Sequence, residues 1–372
     1  MNPVLLCLVA AGAAAVARLG FLGEAPNRLV SGAPLMLWQV VSPSLGAGIG
    51  LLGIGLLIAA FLPPRRLVHG AVIGATALLL LLILLAAGQA ATALAAISPR
   101  AARTSLGAGF WIVAFCAALA MIDGLQRLKA GPAARLALAA LLLALVAALA
   151  LAGCFDALSI WREYAIRRAA FRSEFLRHCL LVLGALVPAL ALGVPLGLWA
   201  ARQDRIAAPL FAILNFVQTV PSIALFGLLI APLSALGLAG IGVLPAIIAL
   251  TLYALLPVVR NMHAGITGID RAVIETALGM GMTGRQIFWQ VELPLGMPIF
   301  LAGLRIVLVQ AIGLACIAAL IGAGGFGIFI FQGIGQYAVD LVLLGAVPVI
   351  FLALAADFLV SLLIALVPGR VA

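Results

Sequence analysis

The chain has 372 residues, of which 66% are apolar and only 9% charged, and its mean hydropathy is +1.33. Soluble domains are about 45–50% apolar and about 25% charged, so this composition excludes a water-soluble enzyme. The net charge of +10 comes from basic residues that lie mostly between apolar runs, which indicates membrane topology and not nucleic-acid binding. We therefore expect an all-α, polytopic integral membrane protein embedded in the lipid bilayer.

Charge-free apolar stretches predict about ten transmembrane helices, because one span needs roughly 20 apolar residues. Five spans are expected near Pro3–Ala17, Ser44–Leu62, Gly70–Ala90, Leu106–Ile122 and Leu136–Gly153. Five more are expected near Cys179–Ala201, Ala207–Ala231, Ile241–Val259, Pro294–Ala319 and Leu341–Val367. The first 19 residues lack a basic start and a cleavage site, so we interpret them as an uncleaved span.

The basic residues favour an orientation with both termini in the cytoplasm. Eleven of them, including Arg370, then lie inside, and nine, including Arg28 and Arg100, lie outside. Five of the nine outer residues belong to the segment Asp156–Arg177, and without it the bias is eleven to four. The five cysteines form no CxxC pair, so we expect neither a metal site nor a disulfide framework.

Residues 156–178 separate residues 1–155, which are rich in alanine and leucine and contain few polar side chains, from the rest of the chain. The aromatic and aliphatic side chains of this segment fall on one helical stripe, with Arg168 intruding. This pattern is typical of an amphipathic helix that lies in the membrane interface before the next span. A docking surface for an external partner is the alternative.

Residues 265–294 form the longest cytoplasmic connection in the second half. We predict two short amphipathic helices, Asp270–Leu278 and Thr283–Val291, separated by glycines at 279, 281 and 284. Pro294 is expected to open the next span, where its missing N–H costs nothing. A rigid helix pair of this kind can insert into a groove of a soluble partner and transmit its movement, whereas an ordinary interfacial loop is the alternative.

The spacing in this region resembles the EAA motif of ABC-importer permeases. The matching residues are Glu275, Thr276 and Ala277, then Gly281 after the intervening Leu278, Gly279 and Met280, and finally Val291, Leu293 and Pro294. Thr276 and Val291 depart from the family pattern. In that family the element is the coupling helix that docks on the ATP-hydrolysing subunit, which implies such a role for residues 268–292.

Flanking sequences resemble the permease subunits of osmoprotectant importers, which take up glycine betaine, choline, carnitine and related quaternary ammonium compounds. They are VQTVPSIALFGLL (217–229), LPAIIALTLYALLPVVRN (244–261) and IGAGGFGIFIFQGI (321–334). The resemblance covers residues 171–366, the five-helix core of type I importers, and leaves residues 1–155 as an N-terminal membrane extension of about five helices.

The resemblance also implies partners. It implies a non-catalytic subunit of the bacterial cytoplasmic (inner) membrane that binds no cofactor, with ATP and Mg held by a separate cytoplasmic ATP-binding subunit. A second permease copy or paralogue and an external substrate-binding protein are the other implied partners. A stand-alone secondary transporter driven by an ion gradient is the alternative function, but the EAA-like spacing would then be unexplained.

Six polar residues at or inside the core spans are candidates for the translocation pathway: Asn215, Gln218, Asn261, Arg305, Gln310 and Asp357. For the amides, structural hydrogen bonds between helices are the simpler alternative. Arg305 and Asp357 lie at similar expected depths, roughly 16 and 15 Å from the inner ends of their spans at 1.5 Å per residue. We therefore hypothesise an ion pair, with a water-filled pathway beside Arg305 as the alternative.

Other patterns carry weaker signals. Residues 322–327 fit GxGxxG, but they follow a membrane span instead of a strand, so we expect a tight outer turn and no cofactor. His69, His178 and His263 are too separated for a metal site and are expected to snorkel or lie in loops at span ends. The aromatic residues of the core form no obvious cage for a quaternary ammonium group.

Overall fold

A computed structural model describes residues 1–27, 30, 32–99 and 101–366. The chain is 81% helical, and the predicted helical membrane class is confirmed. Within the described residues eight helices are long and apolar enough to cross a membrane, and a bent helix pair raises this number to nine. Arg28, Arg100 and Arg370, which entered the orientation argument, and Val367, the predicted end of the last span, lie outside the described residues.

The chain folds into two compact units. Unit 1 contains Met1–Ile166 and Ile334–Asp340, and unit 2 contains Arg167–Gly333 and Leu341–Ala372. The helices of the first 166 residues are α1 (Pro3–Arg18), α2 (Leu37–Val40), α3 (Pro43–Phe61), α4 (Arg66–Ile97), α5 (Ala108–Arg127), α6 (Pro132–Leu151) and α7 (Ser159–Ile166). In unit 1, α1 and α4 each pack against both α3 and α5. With 16 residues, α1 is about 24 Å long and thus shorter than the roughly 30 Å hydrocarbon core that a predicted first span must cross.

Unit 1 also contains a small antiparallel sheet, which the all-α expectation did not include. Its strands, β1 (Leu22–Ala25), β2 (Ala33–Leu35) and β3 (Arg103–Leu106), are arranged in the order β2-β1-β3. Leu22 pairs with Leu35 on one side and with Leu106 on the other, and its side chain is fully buried. Strands of three or four residues are too short to show the alternation that predicts a strand, so only the tertiary fold brings them together.

Unit 2 is built around a buried central helix. The remaining helices are α8 (Arg168–Arg202), α9 (Asp204–Thr219), α10 (Ser222–Ala235), α11 (Val243–Thr267), α12 (Arg271–Gly279), α13 (Gly284–Ile287), α14 (Leu293–Ala315), α15 (Gly327–Gly335) and α16 (Val339–Leu366). Helix α11 packs against α8, α9, α10 and α14. Fourteen of its 25 residues are buried, so α11 forms the core of this unit.

The predicted continuous span Ala207–Ala231 is wrong as a single helix. Helices α9 and α10 meet at an angle of 101°. The break falls at Val220 and Pro221, because a proline disfavours the helical conformation of the residue before it, and Val220 is extended.

The predicted interfacial helix over residues 156–178 is also divided differently. Residues 159–166 form α7, and from Arg168 onward the segment is the first part of α8. Helix α8 has 35 residues and is about 52 Å long, so its first turns extend beyond the hydrocarbon core without any break in the helix. His178, expected to snorkel or lie in a loop, is fully buried, with its ring 5.5 Å from that of Phe326.

The glycine-rich segment 322–327 forms a tight turn against α8. Gly322, Gly324 and Gly325 have φ angles of +75°, +87° and +85°, which residues with a Cβ rarely adopt. The N–H of Gly325 donates a hydrogen bond of 2.6 Å to the carboxylate of Glu174 on α8. The residues directly before this turn, Ile317–Ile321, form a short 3-10 helix and not a strand, so the turn lacks the context of a dinucleotide site.

Candidate functional site

Helix α12 carries the first part of the EAA-like motif and begins with a side-chain cap. The Asp270 carboxylate accepts a hydrogen bond of 2.9 Å from the N–H of Ala272 and thereby satisfies a free donor of the first turn. Glu275 and Thr276 are exposed, and the Thr276 hydroxyl donates to the carbonyl of Ala272 at 2.7 Å. Ala277, by contrast, is only 2% exposed. The motif therefore presents its two polar residues outward and its small residue inward.

The end of α12 has the geometry of a Schellman motif. The N–H of Gly281 donates to the carbonyl of Leu278 at 2.9 Å, and the N–H of Met282 donates to the carbonyl of Ala277 at 3.2 Å. Gly281 has a φ of +79°, the left-handed conformation that this motif requires. Gly279 has no positive φ, and a Cβ at either glycine would meet no atom within 4 Å. The need for glycine at 281 is thus conformational, and Gly279 has no comparable constraint.

The second predicted amphipathic helix, Thr283–Val291, is wrong as a separate element. Helix α13 starts with a capping box, in which the N–H of Thr283 donates to Gln286 at 2.8 Å, and it continues through a π turn at Phe288–Glu292 into α14. In the π turn the N–H of Leu293 reaches back to the carbonyl of Phe288. This change from the usual four-residue to a five-residue hydrogen bond comes directly before Pro294. In a regular α-helix the ring of a proline would clash with the carbonyl group four residues earlier. Pro294 thus lies inside a continuous helical run instead of opening it.

The outer surface of α12 and of the π turn exposes large apolar side chains. Leu278 is 56% exposed, Met280 is 71% exposed and Trp289 is 58% exposed, whereas Ile287 is buried. The segment is therefore anchored by Ala277 and Ile287 and presents an apolar surface around the bend. We define Arg271–Glu292 as the coupling segment.

An ion pair that the sequence analysis missed ties the end of the coupling segment to α8. The two Arg202 Nη atoms donate to the two carboxylate oxygens of Glu292, with Nη1 at 2.8 Å from Oε1. The Glu292 side chain is 7% exposed and that of Arg202 is 50% exposed. Such bidentate pairs are stronger and more directional than single hydrogen bonds. The one sequence feature that could have indicated this pair is the position of Glu292, an acidic residue directly before an apolar span.

Helices α11 and α14 approach each other closely at glycines. A Cβ at Gly296 would lie 2.7 Å from the carbonyl oxygen of Gly265, and a Cβ at Gly265 would lie 2.8 Å from that of Gly296. Further along the same interface, Gly303 packs directly on the side chain of Asn261. The Asn261 amide donates to the carbonyl of Pro257 at 2.7 Å. Small residues at this interface permit backbone contact, as is common between membrane helices.

Gln218 and Tyr253 join the broken helix pair to α11. Pro257 has no N–H, so the carbonyl of Tyr253, four residues earlier, loses its helical donor. The Gln218 amide supplies this donor at 2.8 Å. In return, the Tyr253 hydroxyl donates to the carbonyl of Val220 at the break between α9 and α10. At each of the two prolines, a side chain from the other helix therefore supplies a hydrogen bond that the interrupted backbone lacks. A membrane interior requires this, because it offers no water to bond these carbonyl groups.

The remaining candidate pathway residues lie in different places. Asn215 accepts a hydrogen bond of 3.1 Å from Arg260, and Gln310 is exposed on α14. Arg305 on α14 donates to the carboxylate of Asp357 on α16, with 44% and 35% of the two side chains exposed. The described residues contain no group of three or more His, Cys, Asp or Glu side chains placed to hold a metal ion.

Comparisons with known proteins assign the family. The family described as "Binding-protein-dependent transport system inner membrane component" matches residues 193–371, and "ABC transporter permease YehY, N-terminal domain" matches residues 2–161. Over 182 residues the chain is 42% identical to the carnitine transport permease protein OpuCB of Listeria monocytogenes, covering 81% of that protein and 49% of this chain. The chain belongs to the binding-protein-dependent ABC-transporter permeases. The family predicted from the EAA-like spacing is therefore confirmed.

Another relative is the osmoprotectant import permease protein OsmW of Salmonella typhimurium, 41% identical over 187 residues, with 49% of this chain and 85% of the relative covered. Among solved structures, an inward-facing MetNI methionine ABC transporter aligns with a TM-score of 0.49 and 23% identity. That alignment covers 54% of this chain and 97% of the other. As a member of this family, the chain is a permease subunit of an importer and an inner-membrane protein.

Proposed function

We propose that this permease subunit forms the pathway of an ATP-driven importer for an osmoprotectant such as glycine betaine or another quaternary ammonium compound. The relatives support this substrate class. They include the two permeases above and the glycine betaine/carnitine/choline transport system permease protein OpuCB of Bacillus subtilis, which is 38% identical over 184 residues and 82% covered. All of these matches span about half of this chain.

The single observation that carries the coupling role is the shape of the coupling segment. A capped helix with exposed Leu278 and Met280 offers an apolar surface to a groove of a soluble subunit. The Schellman turn at Gly281 and the Arg202–Glu292 pair connect that surface to α14 and α8 without a flexible linker. Movement of a docked partner would thus reach two membrane helices as a rigid displacement.

In the proposed cycle this chain performs no covalent chemistry. A separate cytoplasmic subunit binds ATP and Mg, and closure of two such subunits moves the coupling segments of two permease copies, identical or paralogous. An external binding protein delivers the solute when the pathway opens outward, and hydrolysis restores the inward state. Both termini and the coupling segment lie in the cytoplasm in this topology, with Glu275, Thr276, Ala277, Gly279, Gly281, Leu293 and Pro294 as the coupling residues.

The six candidate pathway residues fall into three groups in this proposal. Gln218 and Asn261 use their amides on backbone carbonyls, so they hold the kinked helices together. Gln310 and Asn215 are exposed and are proposed to face the pathway or the second copy. Arg305 and Asp357 neutralise each other, which makes a charge inside the membrane tolerable.

The test is uptake of labelled glycine betaine into vesicles that contain the chain, its ATPase subunit and its binding protein. Glu275→Arg reverses an exposed charge on α12 and should lower ATP-driven uptake at least about tenfold without lowering the melting temperature, since the residue is not packed. The matched control is Asp204→Arg, which reverses an exposed acid at the start of α9. Uptake by the chain alone, without nucleotide, would instead establish a secondary transporter.

A further inference from the structure

Unit 1 contains a cavity of about 490 Å³ between the end of α1, the sheet and the segment 334–340. Backbone and small residues of the strands and their flanking turns form much of its wall. Among the described residues, its ionisable side chains are those of Arg18, Arg103, Tyr337 and Asp340. The volume lies within the roughly 300–1,000 Å³ typical of small-molecule sites.

Two arginines line this cavity, and one of them, Arg103, is not fully hydrogen-bonded by the described residues. The Nε of Arg103 is buried and has no hydrogen-bond partner among the described residues. A buried donor without a partner is rare in folded proteins, and it leaves the Arg103 guanidinium group with unused hydrogen-bonding capacity. Arg18 lines the same cavity, so its wall carries two guanidinium groups and the carboxylate of Asp340, with the buried Glu163 close to Asp340. A carboxylate on a ligand is the acceptor that a guanidinium group binds best.

Tyr337 supplies the complementary surface. Its φ is +54°, a left-handed conformation that is unfavourable for a residue with a Cβ, and its side chain is 82% exposed. The exposed ring of Tyr337 makes little packing contact that would compensate for this backbone strain. Strained residues of this kind are concentrated at binding sites. A quaternary ammonium group is attracted to the face of an aromatic ring and to a carboxylate such as that of Asp340.

A second cavity in the same unit differs from the first in the charge of its wall. It has a volume of about 440 Å³, lies among α1, α3, α4 and α5, and has no charged side chain in its wall. Unit 1 therefore has an apolar cavity within its helices and a charged cavity at its sheet. Of these two cavities, only the charged one has ionised side chains in its described wall for a small polar solute.

We propose that the charged cavity binds a small zwitterion, with the carboxylate at Arg103 and Arg18 and the quaternary ammonium group at Tyr337 and Asp340. In the proposed topology the segment 334–340 lies on the membrane face opposite the coupling segment, so the site opens to the outside. None of these four residues is a candidate pathway residue, and together they mark unit 1, which joins the N-terminal extension to the segment 334–340, as a solute-binding unit. The choice of glycine betaine as the ligand rests on the proposed function.

The test is equilibrium binding of labelled glycine betaine to the full-length chain in lipid nanodiscs, without ATPase or binding protein. We expect saturable binding of one molecule per chain, weakened at least about tenfold by Arg103→Gln, which removes a charge-assisted contact. Tyr337→Gly removes the ring while accepting the left-handed backbone, and it should weaken binding about five- to tenfold, whereas Tyr337→Phe should bind like the wild type. Choline, which has no carboxylate, should bind at least about tenfold more weakly than glycine betaine.

Arg135→Gln is the matched control, because Arg135 is an exposed arginine of unit 1 that lies outside the cavity, and it should bind like the wild type. Absence of saturable binding, or equal binding by the wild type, Arg103→Gln and Tyr337→Gly with unchanged melting temperatures, would overturn the inference. Failure of the proposed function has a different signature. The complete transporter would then not take up glycine betaine, although the chain alone would still bind it at this site.

Discussion

Helices α6 and α11 are both strongly apolar but opposite in packing. Their apolar windows have mean hydropathies of 2.5 and 2.0, yet none of the residues of α6 is buried, whereas fourteen residues of α11 are. Hydropathy therefore predicts that a helix enters the membrane but does not predict what the helix contacts. The polar and small residues of α11, among them Thr251, Asn261 and Gly265, are the features that distinguish a packed helix here.

The glycines of α3 and α14 show the same contrast. In α3 of unit 1, a Cβ added at Gly46, Gly50 or Gly53 would meet no atom within 4 Å, so these glycines are uncrowded. In unit 2, Gly296 and Gly303 are in direct contact with α11. The presence of glycine in an apolar helix therefore does not by itself indicate a close contact with a second helix.

The largest expected effect comes from filling these contacts. Gly296→Leu and Gly303→Leu should separate α11 from α14 and abolish ATP-driven uptake, because overpacking a close interface typically costs about 1–3 kcal/mol or more. Gly53→Leu in α3 should leave the melting temperature and uptake unchanged. Thermal unfolding in detergent and vesicle uptake check both results, and equal sensitivity at Gly53 and Gly303 would contradict the contrast between α3 and α14.

The next effect compares two ion pairs. Glu292→Gln weakens a long-range pair between α8 and the coupling segment, and it should cost about 1.5–3 kcal/mol and lower uptake several-fold. Asp123→Asn in unit 1 weakens a pair with Arg127 one turn away on the same helix, while the amide oxygen of the variant can still accept the 2.8 Å hydrogen bond from Asn2. It should therefore cost only about 0.5 kcal/mol without affecting uptake. Melting temperatures and uptake rates measure both. Similar losses in the two variants would show that the Arg202–Glu292 connection has no special role.

The smallest effect separates two glycines within the coupling segment. Gly281→Ala places a Cβ on a left-handed residue, which should cost roughly 1–2 kcal/mol and reduce uptake about two- to fivefold. Gly279→Ala should be neutral, since Gly279 has no positive φ and a Cβ there has room. Uptake at matched protein levels is the measurement. Equal loss at both positions would mean that a partner needs the space at Gly279.

The candidate site was only partly predictable. The glycine bend and the spacing from Glu275 to Pro294 are visible in the sequence because local chemistry sets turns and helix starts. The continuous run through the π turn was not predicted, since it depends on how Pro294 fits a helix that already has tertiary anchors at Ile287 and Glu292. The partnership of Arg202 with Glu292 was also missed, because 90 residues separate them in the chain.

Composition and local spacing were enough to establish the membrane class, the apolar segments and the family, because transfer into lipid depends on composition and the motif on short-range order. The sheet of β1, β2 and β3, the 101° bend between α9 and α10, and the burial of His178 emerged only from the folded chain. Each of these features depends on a partner distant in the chain that supplies hydrogen bonds or covers a surface. No pattern within one segment specifies such a partner, so long-range packing has to select it.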